Sequence, residues 1–154
     1  MAGIIGNRMV TNGLVLFLDA NNPNSFNLGN PTKWNDISFN RYSGDLVSGP
    51  TFSPTNGGFI TFDGINDNLI ISGTSNYNAN NGLTYSIWLK QPVNSTGFKE
   101  IFAHTNGLAG NNGWRIQKIN DTLEFTIGGL ADYPFSYVFS HTNLVNCLYF
   151  ETFD

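Results

Sequence analysis

Cysteine is all but missing from this chain. Cys147 stands alone, so no disulfide forms within the chain and no cysteine-based zinc site exists; a single thiol in an apolar run reads as a small residue buried in a strand. Charge is scarce too, with Asp, Glu, Lys and Arg making up only 12% of the 154 residues. The net charge of −4, with the few Lys and Arg scattered, leaves no basic stripe, so a phosphate-binding surface for nucleic acid is not expected. No apolar run approaches the roughly 18 residues of a membrane span, so membrane insertion is not expected either. Apolar residues nowhere recur at a helical period over a helix length, which argues against a bundle. The opening "MAGIIGNRMVTNG" has a short apolar patch broken by glycine and Arg8, and does not read as a signal peptide.

Glycine, asparagine and aromatic residues are abundant instead: 17 Gly and 13 Phe accompany a surplus of Asn. Such a composition suits short strands punctuated by turns, in a chain long enough to bury one core. The run Leu14–Leu18 reads as a central strand covered on both faces. From Asn21 to Gly58 turn formers dominate, which predicts a long loop pinned by Trp34, Ile37, Leu46, Val47 and Phe52. The segment "FITFDGINDNLII" reads as a strand, a turn and a strand. "LTYSIWLK" alternates, with Leu83, Tyr85, Ile87 and Leu89 on one face and Thr84, Ser86, Trp88 and Lys90 on the other. "EIFAH", "WRIQKI", "LEFTIG", "FSYVFS" and "CLYFETF" add further strands, separated by polar turns that fit antiparallel connections. Trp34 and Trp88 are expected to be packing residues.

Read in order, "GLVLFLDANNPNSF", "WNDIS", "GDLVSGPTFSPTNGGFITFDGINDNLII" and "LTYSIWLK" resemble the laminin G-like, concanavalin A-like jelly-roll domains found in bacteriophage structural proteins and bacterial surface proteins. The resemblance runs from about Gly13 to Lys90 and weakens towards Asp154. It implies an all-β, two-sheet antiparallel jelly-roll sandwich over residues 13–154, preceded by an N-terminal arm over residues 1–12. It also implies that "CLYFETFD" corresponds to an internal strand of the family, so that closing strands are expected to be missing, with the edge covered by a neighbouring copy or another virion protein, or alternatively by "MAGIIGNRMV" folding back. The function expected from it is that of a non-enzymatic virion protein, capsid decoration or tail-associated, acting through contacts with other virion proteins and in a homo-oligomer. A carbohydrate-binding module recognising cell-surface glycans is the alternative, because a shared fold does not fix the function.

Candidate site residues follow from chemistry. Asp63 and Asp67 stand four apart around Gly64, as the connection of a hairpin requires. A loose calcium site at these two carboxylates is the competing reading, although the ligand pattern of an EF-hand is not there. No other cofactor is indicated. Trp114 follows the glycine-rich "GLAGNNG" and Tyr133 lies in "GLADYPF", which makes them, with Asn111 and Asn112, the candidates for stacking on and hydrogen bonding to a sugar. No catalytic residue is assigned. Glu100, Glu124 and Glu151 fall singly on separate strands, whereas glycoside hydrolysis needs paired carboxylates, and His104 and His141 lie at no recognisable motif spacing.

Overall fold

A computed structural model describes residues 11–72, 84–90, 96–104, 114–120, 122–127, 135–140 and 145–151. It is all-β, with every strand pairing antiparallel and no α-helix among the described residues. The chain divides into two compact units, Met1–Ser75 and Asn76–Asp154.

The first unit is built from short strands held by loops. β1 (Lys33–Trp34), β2 (Gly44–Val47) and β5 (Asn68–Ile71) form one sheet in the order β1-β2-β5, while β3 (Thr51–Ser53) pairs with β4 (Phe59–Thr61). Leu46 lies opposite Leu69 and is buried, and Gly44 lies opposite Ile71. A Cβ on Gly44 would stand 2.4 Å from Leu69 Cδ1 and 3.2 Å from Ile71 Cγ1, so a side chain there must displace the end of Leu69. Lys33 and Asp45, cross-strand partners, form a salt bridge. Phe26 joins Trp34 through an isolated bridge and is buried, stacking on Phe52 at 4.8 Å.

Two expectations change here. Leu14–Leu18 forms no strand. Its backbone is satisfied by the side chains of the following loop: Phe17 N–H donates to Asp36 Oδ1 at 2.9 Å, and the Val15 carbonyl accepts from Ser38 Oγ and from Asn40 Nδ2. One main-chain bond, from Ile37 N–H to the Phe17 carbonyl at 3.0 Å, completes the attachment. Polar side chains have taken over the role of a neighbouring strand, and periodicity in the apolar residues carries no trace of such partners. The second change concerns Asp63–Gly64, which is a turn but not that of a hairpin. β4 pairs with β3 and β5 with β2, so the turn carries the chain from one sheet into another.

The second unit contains β6 (Thr84–Lys90), β7 (Phe98–His104), β8 (Trp114–Ile119), β9 (Thr122–Ile127), β10 (Phe135–Ser140) and β11 (Val145–Glu151). β7 to β10 make a four-stranded sheet in the order β10-β9-β8-β7, and β6 pairs with β11. A Tyr85–Phe102 ring contact at 5.1 Å packs β6 on β7. β8 sits between β7 and β9, and its consecutive residues Ile116, Gln117 and Lys118 are all buried, so both faces of this strand are covered. Along β6, exposure alternates as the sequence predicts. Trp88 belongs to the outer set and is 74% exposed, which overturns its assignment as a packing residue: the alternation that half-buries Tyr85 and Ile87 turns residue 88 outwards.

Candidate functional site

Carboxylates whose oxygens face main-chain amides, Asp36, Asp63 and Asp67 among them, shape the loops of the first unit. Asp36 is buried, and its Oδ1 accepts from Phe17 N–H and Ser38 N–H while its Oδ2 accepts from Tyr42 N–H; the single proton of Ser38 Oγ is shared between Asp36 Oδ2 and the Val15 carbonyl. Asp63 Oδ1 accepts from Ile65 N–H at 2.7 Å and, at longer range, from Asn66 and Asp67 N–H; Asp67 Oδ2 accepts from Asp63 N–H at 2.9 Å. Gly64, at φ 73°, takes the left-handed backbone angle between them. This reciprocal pair is the hydrogen bonding of a closed turn, and it supports the turn reading of Asp63 and Asp67. Among the described residues, no three His, Cys, Asp or Glu side chains gather as a metal cluster.

Ser25, fully buried, braces the same region from the other side. Its hydroxyl donates to the Asn35 carbonyl at 2.6 Å and accepts from Asp19 N–H at 3.0 Å. The loop it holds in place borders a cleft. An open cleft of about 330 Å³ is lined by Ala20, Asn21, Pro23, Phe26, Asn27, Leu28, Phe52 and Pro54. The stacked rings of Phe26 and Phe52 are its aromatic floor, Leu28 stands exposed at the rim, and no charged residue lines it. Asn27 Oδ1 is held by Gly29 N–H at 2.8 Å, which fixes the orientation of that carboxamide. Gly58 closes the back of this wall: a Cβ there would meet the Ala20 carbonyl and Asn21 Cα at 3.2 Å.

Of the sugar-site candidates of the sequence, Trp114 opens β8, opposite His104 and Ile127, while Asn111, Asn112 and Tyr133 fall outside the described residues. Phe26 and Leu28 were missed because they sit in the asparagine-rich stretch "NNPNSFNLGN", which reads as turn; an aromatic residue kept inside so polar a segment was the signal. The glutamates do lie on separate strands, Glu100 on β7, Glu124 on β9 and Glu151 on β11. A comparison with family models, curated proteins and solved structures finds no match for the chain.

Proposed function

We propose that this chain is a non-enzymatic structural protein of a bacteriophage virion, part of the capsid decoration or tail, working through contacts with other virion proteins and with copies of itself. The observation that supports this reading is the set of large apolar side chains left outside: Phe39 is 97% exposed, Ile65 87% and Trp88 74%. Exposed apolar residues of this size, on loops and on a strand face, are suited to burial against a protein partner. The resemblance of "LVLFLDA", "GPTF" and "FDGIND" to phage-borne sandwich domains points the same way. The test is quantitative mass spectrometry of purified particles from a culture expressing the chain. Recovery at a fixed stoichiometry with a major capsid or tail protein is the expected result; absence from washed particles sinks the proposal.

The cleft favours a second reading. An uncharged site with an aromatic floor and carboxamides at its rim suits a neutral glycan, whose C–H faces pack on rings and whose hydroxyls pair with amides. Glycan-array binding that is lost in Phe52→Ala or Asn27→Ala and kept in Trp114→Ala would place recognition at this cleft; loss in Trp114→Ala would place it at the glycine-rich loop instead.

A further inference from the structure

Register across the four-stranded sheet aligns three oxygen-bearing side chains. Gln117 of β8 is the cross-strand partner of Glu100 on β7 and of Glu124 on β9, and directly opposed residues of antiparallel strands share a face. The backbones that carry the two glutamates therefore flank that of Gln117, each one strand spacing away, roughly 4.8 Å. A shift of register between Glu100 and Phe102 places a bulge beside the first of them, a device that re-aims a neighbouring side chain.

The central amide is the informative member. Gln117 is only 4% exposed, and its Nε2 donates to Glu124 Oε2. Its Oε1 is buried with no hydrogen-bond partner. Exchanging the two amide atoms does not cure this, since it would set Oε1 against a carboxylate oxygen and strand the nitrogen instead. The row thus holds one buried carbonyl oxygen without a partner beside two carboxylate-bearing residues. An unmet acceptor in such a place needs a donor or a cation.

We propose that Glu100, Gln117 Oε1 and Glu124 together bind a divalent cation of the calcium type. All three ligands are hard oxygens, they come from three adjacent strands, and the long Glu side chains adapt to the variable geometry that calcium accepts and magnesium does not. With only three protein oxygens, water completes the shell and the affinity is modest, a dissociation constant on the order of 0.1 to 1 mM. The site is separate from the Asp63–Asp67 turn, whose oxygens are directed at the turn's own amides.

Calcium titration of the whole chain, followed by thermal unfolding and by isothermal calorimetry, tests this. A saturable rise in Tm with calcium, smaller with magnesium, is expected, together with at least about tenfold weaker binding in Glu100→Gln and in Glu124→Gln. Glu100 is exposed, so its substitution leaves the calcium-free protein folded and the comparison valid. The double variant Asp63→Asn, Asp67→Asn should keep the calcium response. No response in the parent at about 10 mM calcium overturns the proposal. So does a response unchanged in Glu100→Gln, or one abolished by the Asp63, Asp67 double variant.

Discussion

Asp36 and Asp63 do the same chemical work in different surroundings, and the difference sets what each contributes. Asp36 is buried and collects donors from Phe17, Ser38 and Tyr42, three separate points of the chain. Asparagine at this position would turn an NH₂ towards buried N–H groups, leaving at least one of them unsatisfied. The expected loss for Asp36→Asn is about 2–4 kcal/mol, read as a lower urea midpoint at unchanged slope. The Asp63–Asp67 turn is exposed, and water replaces what a substitution removes, so Asp63→Asn with Asp67→Asn should cost only about 1–2 kcal/mol. Equal losses at the two places would mean that burial is not what separates them. Trp88 supplies the opposite case: its indole is largely outside, and Trp88→Ser should change the stability of the isolated chain by no more than about 0.5 kcal/mol. A loss of several kcal/mol there would show that the indole is packed after all.

At the scale of elements, local pattern was a sound guide wherever a strand's own side chains decide its exposure. "WRIQKI" and "FSYVFS" coincide with β8 and β10, and the alternation in "LTYSIWLK" is the alternation of exposure along β6. It failed where pairing is non-local. Nothing in "FITFDGINDNLII" says that its two strands choose β3 and β2 as partners in place of each other, and nothing in "GLVLFLDA" says that Asp36 and Ser38 will occupy its backbone. The cleft was hidden for the same reason, since Phe26 meets Phe52 only after the intervening loop has folded back. The row on β7, β8 and β9 depends on register, which residue types do not display. Gly44 is a further consequence of pairing: its position opposite Ile71 and against Leu69 means that an added side chain must displace the end of Leu69. Gly44→Val should overpack this junction and cost about 1–3 kcal/mol by denaturant unfolding, whereas Gly49→Ala, where a Cβ meets nothing within 4 Å, carries only the strain of φ 105°.

At the scale of the whole molecule, the proposed association has few charges to drive it. The chain has 7 basic and 11 acidic residues, none arranged as a patch of one sign in the sequence, while Phe39, Ile65, Ile70 and Trp88 stand exposed. Association should then be governed by removal of apolar surface from water, and that mechanism has a signature distinct from ion pairing. Apolar contact strengthens in sulfate and weakens on cooling, whereas contact between surface charges is screened by simple salt. Sedimentation velocity at micromolar concentration should therefore show self-association that increases in sodium sulfate, persists in about 0.5 M sodium chloride and declines between 25 °C and 5 °C. Ile65→Asp and Trp88→Asp place a carboxylate where an interface would exclude water, so each should shift the population towards monomer without unfolding it. A chain that stays monomeric in every one of these conditions, with both variants indistinguishable from the parent, would remove the physical basis for a self-assembling virion component. It would leave the cleft over Phe26 and Phe52 as the better-supported surface of the protein.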